Sequence, residues 1–165
     1  MNAFDLFPRI YDLPPALQYR LLNAGIPRVL PIASGLGIRV RELSDQRAVT
    51  TMPLSRKSRN HVGSMYLGAT LVAAEVTMAL FAIRALRPPE FRVLVAGLDA
   101  DFTAQGRGTV RAVCEPDEEQ LAHVERARAM APGKEAFGLS ARVESVDDGR
   151  LIATVGFRVS VKRLG

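Results

Sequence analysis

The segment 65–83, MYLGATLVAAEVTMALFAI, is apolar on every side of a helical wheel except at Glu75, near its middle. A helix that is hydrophobic all round has no face for water, so it lies inside a protein core or a membrane. The pattern therefore predicts a long buried helix, and it predicts that Glu75 is buried with it. A buried carboxylate is costly without partners, and such groups are over-represented at functional sites.

Alternation of apolar and polar residues near the end of the chain predicts a β-hairpin. In 151–161 the odd-numbered positions are apolar and share one face, whereas Ile152 falls on the opposite, more polar face. The segment 137–145 repeats the alternation, and Asp147-Asp148-Gly149 supplies a hairpin turn between the two strands.

Four more strands and three more helices complete the predicted order. Residues 91–103 alternate with a change of phase near Gly97, which indicates a bulge. Residues 116–130 form a surface helix that is acidic at its start and basic at its end, as the helix dipole favours. The remaining elements are strands near 36–40, 48–54 and 108–115 and short helices at 15–23 and 27–33.

This order predicts an α+β fold in which an antiparallel sheet of about six strands curls around one long central helix. Residues 1–33 contain five prolines and are interpreted as an N-terminal helical extension packed outside the sheet. Residues 34–165 then form the main part of what is a single domain overall.

Composition and cysteine content agree with a globular cytoplasmic protein. The chain has 165 residues, of which 48% are hydrophobic and 24% charged, which is ordinary for one globular domain. Its single cysteine, Cys114, excludes an intrachain disulfide and fits a reducing compartment. The first residues lack a basic region followed by an apolar run, so they do not resemble a signal peptide.

The net charge of +5 permits an anionic ligand, a nucleic acid or a membrane surface without choosing among them. A nucleic-acid role is not predicted, since the chain has no Trp and no basic stripe with interleaved aromatic residues. The segment 65–83 would just span a bilayer, but Glu75 at its centre and the surrounding strands argue against a membrane span. Two histidines and one cysteine at unrelated spacings predict no metal site.

Residues 60–75, NHVGSMYLGATLVAAE, resemble a motif of the hotdog-fold acyl-CoA thioesterases of the phenylacetic-acid-degradation type. That motif reads N-x-x-G-x-x-H-G-G, then an alanine- and leucine-rich turn, then D or E. The segment is more similar still to the uncharacterised DUF4442 branch, whose pattern resembles N-H-x-G-S followed by G-A and A-E. Residues 149–153 also resemble the usual start of the last hotdog strand, and the element order extends the resemblance over roughly residues 34–164.

The resemblance implies catalytic roles for three residues. Glu75 occupies the position of the catalytic carboxylate and would act as a general base on water or as a nucleophile toward the thioester carbonyl. Asn60 occupies the position of an amide side chain that orients water or substrate. The backbone N–H of Leu67, in the first turn of the long helix, would stabilise the oxyanion.

Substrate contacts are expected around the same helix start. Ser64 is a suitable N-cap that would leave the N–H groups of Tyr66 and Leu67 free, and Gly68 would allow a close approach. Tyr66-Leu67-Gly68 stands where the thioesterases have His-Gly-Gly, so the resemblance implies that the oxyanion amide belongs to a bulky residue and that the mouth of the acyl pocket is narrowed. The expected substrate-binding residues are Arg56, Lys57, Arg59, His61, Gly63, Ser64, Tyr66 and Gly68.

Several of these residues have a second interpretation that the sequence leaves open. The basic residues of 56–59 either hold the phosphates of coenzyme A or are solvated loop charges. Asn60 either contacts the substrate or only holds the loop turn. His61 is titratable and next to Asn60, but a lone loop histidine is more often a residue that packs or bonds to backbone. Glu75 could also be a structural carboxylate at a dimer interface.

Helix geometry predicts that one chain cannot complete the site. Leu67 and Glu75 are eight residues apart, hence about 12 Å along one helix axis, which is too far for both to act on one carbonyl. An oxyanion donor and a carboxylate that act together must then come from two subunits. We therefore expect a two-fold homodimer with two composite sites, as the family resemblance also implies, and leave open a dimer of dimers.

The functional hypothesis is an acyl-CoA thioester hydrolase that needs no cofactor, with the coenzyme A thioester as its substrate. The alternative is a hotdog protein that binds acyl-CoA or a fatty acyl group without catalysis.

Overall fold

The computed structural model describes residues 10–86 and 90–165. In chain order its helices are α1 (Pro15–Val29), α2 (Pro31–Leu36), α3 (Leu67–Leu86) and α4 (Glu118–Ala129). Its strands are β1 (Arg39–Leu43), β2 (Ala48–Met52), β3 (Phe91–Phe102), β4 (Val110–Cys114), β5 (Gly133–Ser145) and β6 (Leu151–Arg163).

The six strands form one sheet in the order β1-β2-β4-β5-β6-β3, and all neighbours are antiparallel. Helix α3 crosses one face of the sheet and packs mainly on β2, β4 and β5. The predicted sheet of about six strands around a long central helix, with additional helices before it, is confirmed.

Helix α3 lies in the core because one broad side of it is apolar and faces the sheet. Met78, Phe81 and Ala82 have no exposed surface. Thr77 donates a hydrogen bond to the carbonyl of Ala73 at 2.7 Å, so the Thr50 hydroxyl on β2, also 2.7 Å away, donates to Thr77. By length and composition α3 is the one described helix that could cross a membrane, but 61% of its apolar window is buried inside the fold, which accounts for that composition.

Strand β3 contains the predicted bulge. Its pairing with β6 shifts register between Val95 and Gly97, and the Arg158 guanidinium donates to the carbonyl of Ala96 at 3.1 Å. Val93 and Val95 pair with inward-facing valines of β6, so before the bulge these two residues face α3. After the bulge the even-numbered residues of β3 face α3.

Helix α1 covers the backbone of β1, the strand at one edge of the sheet. Asn23 exchanges two hydrogen bonds with Val40, and the Tyr19 hydroxyl accepts a hydrogen bond from the N–H of Leu43 at 3.3 Å. The opposite edge of the sheet is β3. Exposed edge strands are templates for pairing with another chain, so this capping leaves β3 as the edge available for such pairing.

The N-terminal helices differ from those predicted from sequence. Instead of ending before Gly25, α1 continues through Pro27 to Val29, and α2 ends at Leu36. Burial of Leu22 and Ile26 on the same side of α1 outweighs the loss of one backbone hydrogen bond at the proline. The predicted boundary between residues 33 and 34 falls inside α2, and the first nine residues of the extension lie outside the described residues.

The alternation predicted that Ile152 lies on the more polar face of its strand, and this prediction was wrong. The pairing of β5 with β6 shifts register between Val143 and Glu144, near the start of β6. Ile152 is 2% exposed, and a Cβ at Gly106 would lie 3.3 Å from its Cδ1 atom, so the loop before β4 covers it. A bulge at the strand end thus reversed the simple period-two pattern there.

Candidate functional site

The loop between β2 and α3 is fixed by two residues that sequence reasoning missed. Ser58 is fully buried, its hydroxyl donates to the carbonyl of Pro53 at 2.8 Å, and its own carbonyl accepts the N–H of Tyr66 at 2.7 Å. Met65 donates its N–H to the carbonyl of Gly106 at 2.8 Å. These bonds hold Met65 and Tyr66 outside the helix, so α3 begins only at Leu67. A lone serine or glycine in a loop gives no sequence signal of such a role.

Asn60 organises the turn that precedes the helix. Its side-chain oxygen accepts hydrogen bonds from the N–H groups of Val62 and Ser64, both at 3.1 Å, and its amide donates to the Ser64 hydroxyl at 2.9 Å. Gly63, between them, has a φ of +79°, a left-handed conformation that favours glycine. Both ends of the Asn60 amide are thus engaged within the loop, which favours its loop-turn interpretation.

Ser64 is not the N-cap of the long helix, contrary to the sequence expectation. It is buried, and its hydroxyl accepts a hydrogen bond from Asn60 three residues before the helix starts. The N–H of Tyr66 is not free either, because it is bonded to Ser58. The N–H groups of Leu67 and Gly68 lie in the first turn of α3, where a helix leaves its donors without intrahelical partners.

Glu75 is exposed in the single chain, and the expectation that it is buried was wrong. The sheet-facing side of α3 carries the fully buried residues, whereas Glu75 lies on the other side, between the half-buried Leu71, Val72 and Ala79. Within residues 10–86 and 90–165 its carboxylate has no ion pair or hydrogen bond. The sequence of α3 is apolar on all sides because this second side is apolar too, although the sheet covers only the first side.

Large apolar side chains near this second side are also uncovered. Val62, Tyr66 and Leu67 at the start of α3 are each more than half exposed. On β3, Leu98 and Phe102 face the helix side of the sheet and are 48% and 40% exposed. The fold therefore presents apolar surface both at the helix start and along its free edge strand.

The Tyr66 ring lies over Gly68. A Cβ atom added at Gly68 would be 2.8 Å from Cε1 of Tyr66, closer than a real Cβ contact allows. The close approach that the glycine was expected to permit is thus made by the chain's own aromatic side chain. The ring therefore lies against the first turn of α3.

The basic residues of the loop form no ion pair with any described residue. Arg56, Lys57 and Arg59 are exposed, and in the described parts of the chain none has a carboxylate within 4.0 Å. Arg107, which sequence reasoning missed, is exposed beside Gly106 and donates a hydrogen bond to Gln105 at 2.7 Å. The Met65–Gly106 hydrogen bond joins these two loops, so four unpaired cations lie on the segments that frame the helix start. His61 is exposed there as well.

Nucleophilic and metal chemistry find little support elsewhere in the described residues. Cys114 is buried, and burial raises its pKa to about 12. No three His, Cys, Asp or Glu side chains of residues 10–86 and 90–165 are grouped so as to hold a metal ion. The candidate site is therefore the start of α3 together with Glu75, two turns further along the helix.

The sequence pattern of the domain of unknown function DUF4442 matches residues 19–161. The chain belongs to the DUF4442 family. No match is found among curated proteins.

Solved structures place this DUF4442 chain in the hotdog fold. A probable thioesterase of unknown function from Pseudomonas aeruginosa has a TM-score of 0.74 at 21% identity, over 92% of this chain and 97% of the other. A thioesterase from Haemophilus influenzae has a TM-score of 0.70 at 16% identity, over 88% and 91%. A Staphylococcus aureus thioesterase, solved as a glutamine-to-alanine mutant, has a TM-score of 0.65 at 16% identity, over 80% and 98%.

Proposed function

We propose that this DUF4442 protein is a cytoplasmic acyl-CoA thioester hydrolase with composite sites in a homodimer. The observation that carries the proposal is the position of Glu75. It is the only carboxylate on α3, it lies on an apolar side that the sheet leaves uncovered, and its own helix start lies too far away to share a carbonyl with it.

In the proposed reaction the Glu75 carboxylate takes a proton from water as the water oxygen attacks the thioester carbonyl. The N–H groups of Leu67 and Gly68 from the other subunit stabilise the negative oxygen that forms. The C–S bond then breaks, and the proton returns to the leaving thiolate to give coenzyme A and a carboxylic acid. In the nucleophilic variant Glu75 attacks the carbonyl itself, the C–S bond breaks and the thiolate leaves, and water then hydrolyses the resulting anhydride, restoring Glu75 and giving the acid and a proton for the thiolate.

The proposed dimer joins the free edges of two β3 strands. The bulge at the centre of β3 changes which residues face α3, from odd-numbered residues before it to even-numbered residues after it. Antiparallel pairing of two β3 strands about a two-fold axis between Ala96 and Gly97 therefore places residues that face the helix opposite one another. Val95 then lies opposite Leu98 of the partner subunit, and Val93 lies opposite the partner's Ala100. The half-exposed Leu98 and Phe102, on the helix side of β3, would be covered by this pairing.

The outward face of β3 is complementary to itself in the same register. Arg92 lies opposite the partner subunit's Asp101, and symmetry repeats the pair. Arg92 and Asp101 are both exposed and form no ion pair in the described parts of the single chain. Opposite charges placed directly across antiparallel strands stabilise the pairing.

A spacing in a neighbouring structure supports the choice of site residues. The Staphylococcus aureus protein was solved with a glutamine mutated to alanine and, separately, with a glutamate mutated to alanine, and these two positions are fifteen residues apart. Asn60 and Glu75 have the same spacing. In this proposal Arg56, Lys57, Arg59 and Arg107 attract the phosphates of the coenzyme A part.

The test is release of free thiol from short-, medium-, long-chain and aromatic acyl-CoAs by the wild type, by Glu75→Gln and by Glu119→Gln. Glu119 is an exposed glutamate of α4 that forms no ion pair with any described residue, and it serves as the matched control. We expect turnover that Glu75→Gln lowers by about a hundredfold or more and that the control leaves unchanged. Full hydrolysis by Glu75→Gln would refute the mechanism.

The second candidate is a protein that binds acyl-CoA without hydrolysing it. Two observations favour it: the Asn60 amide is fully engaged in its loop, and Tyr66 covers the helix start. It predicts saturable binding of acyl-CoA in equilibrium dialysis, no turnover above background, and equal affinity for wild type and Glu75→Gln.

A further inference from the structure

Helix α1 presents apolar residues to solvent as well as to the sheet. Gln18, Leu22 and Ile26 form its buried side. Leu17 and Leu21, one turn apart and therefore on one stripe, are 43% and 41% exposed on the outside. At the end of the helix and just past it, three further large apolar side chains are between 36% and 56% exposed: Val29, Leu30 and Ile32.

Helix α4 shows that this exposure is not general for surface helices of this chain. Its large apolar residues are Leu121, which is partly buried, and Val124, which is 2% exposed. Neither side chain is as exposed as Leu17 or Leu21. The outer side of α1 therefore differs from an ordinary solvated helix face.

The same region is cationic and contains no acid. From Leu13 through Arg41 the sequence has no Asp or Glu and has four arginines. Arg20 and Arg28 are exposed on α1, and Arg39 and Arg41 are exposed on β1, the strand that α1 covers. Among the described residues none of the four forms an ion pair, whereas Arg111 and Arg142 on the sheet both pair with Glu144.

We propose that the outer stripe of α1 and the exposed apolar residues at its junction with α2 bind the surface of a lipid bilayer that contains anionic headgroups. The half-exposed leucines would enter the boundary between headgroups and acyl chains, while the arginines would extend toward the lipid phosphates. Charge complementarity selects an anionic bilayer over a neutral one. The proposal does not depend on catalysis, and it leaves β3 free because α1 lies at the opposite edge of the sheet.

Sedimentation with vesicles tests this with the full-length protein. We expect binding to vesicles of phosphatidylcholine mixed with phosphatidylglycerol, weaker binding as salt is raised, and little binding to phosphatidylcholine alone. The double variant Arg20→Gln/Arg28→Gln should bind about thirtyfold more weakly. The double variant Leu17→Gln/Leu21→Gln should lose on the order of tenfold in binding at low salt.

The control Arg126→Gln/Arg128→Gln removes two exposed arginines from α4 and changes the net charge equally. It should bind as the wild type does. If the two double arginine variants lost vesicle binding equally, the attraction would depend on net charge alone, and the proposal would be overturned. Wild-type binding that the leucine variant retains, equal binding to neutral vesicles, or no binding to either kind would overturn it too. Circular dichroism melting checks that each variant is folded.

Discussion

Asn23 of α1 and Val40 of β1 are joined by two hydrogen bonds: the N–H of Val40 donates to Oδ1 at 2.7 Å, and Nδ2 donates to the carbonyl of Val40 at 3.1 Å. One side chain thus takes the place of a neighbouring strand at this edge. The two edges of the sheet are consequently different, because one is covered within the chain and the other presents a long unpaired strand.

Asn23→Ala should destabilise the fold by about 1–3 kcal/mol, because it leaves both backbone groups of Val40 without these partners in a half-buried position. Asn23→Asp keeps the acceptor for the Val40 N–H but loses the donor, so its loss should be intermediate. Urea unfolding of the three proteins measures this order. An alanine variant as stable as the wild type would show that the two bonds do not hold α1 on the edge.

A charge swap tests the proposed pairing of β3 with its copy. Arg92→Glu and Asp101→Arg should each weaken dimerisation, because each places like charges opposite one another on both sides of the two-fold axis. The double variant restores opposite charges and should recover most of the wild-type affinity. Sedimentation equilibrium gives the dissociation constants of the wild type and the three variants.

The result that would contradict this pairing is a double variant in which the two losses of dimerisation affinity simply add. It would mean that the two side chains do not face each other, and that the register, or the use of β3 as the interface, is wrong. Leu94→Arg changes a 71% exposed outward residue of the same strand, and in this register it places an arginine opposite the partner subunit's Asp99, so it should strengthen dimerisation rather than weaken it.

The fold could be predicted from the sequence because its signals are local. Alternation and turn residues located the strands of the last hairpin, and the change of phase near Gly97 located the bulge that the pairing of β3 confirms. Helix α1 was divided wrongly because Pro27 is a strong local signal, whereas the burial of Leu22 and Ile26 that outweighs it is tertiary.

The candidate site was less predictable, since contacts between distant segments decide it. The sequence marks Asn60, Leu67 and Glu75 by resemblance, but Ser58 and Gly106 set where the helix begins. The prediction that Glu75 is buried assumed that an all-round apolar helix is covered all round. In the single chain the sheet does not cover one side of α3, so the apolar sequence of the helix did not indicate whether that side is buried.

Glu144 should make the fold sensitive to acid. Burial raises the pKa of this carboxyl, but hydrogen bonds from Arg111 at 2.7 Å and Arg142 at 2.6 Å outweigh burial and leave the pKa below its usual value. A carboxyl whose pKa is lowered on folding contributes stability above its unfolded pKa of about 4.3, and this stability is lost as the pH falls through the folded value.

Glu144→Gln should therefore be less stable than the wild type at pH 7 by about 1–3 kcal/mol, and its stability should change less as the pH falls below about 4. Urea unfolding as a function of pH measures both effects. Glu125→Gln, at a largely exposed glutamate that pairs with Arg128, should follow the wild-type curve within about 0.5 kcal/mol. Parallel curves for wild type and Glu144→Gln would contradict the assignment.

Cys114 should be inert toward thiol reagents in the folded protein. It is fully buried, and burial raises its pKa to about 12, so very little thiolate exists near pH 8. We expect no reaction with a disulfide reagent until denaturant is added, and then one equivalent per chain. Rapid labelling under native conditions would show that β4 opens readily. The same inertness means that thiol released in the hydrolysis assay comes from coenzyme A.

The contact between Tyr66 and Gly68 predicts a coupling that can be measured without any substrate. Gly68→Ala alone should change stability little, because the gain in helix propensity of up to about 1 kcal/mol is offset when the added Cβ displaces the ring. In a Tyr66→Ala background the same substitution has no ring to displace, so it should stabilise by close to the full amount. Thermal or urea unfolding of the four proteins gives the coupling energy. If the effect of Gly68→Ala is the same in both backgrounds, the ring does not rest on the first turn in solution, and the helix start is open to a ligand without any movement of Tyr66.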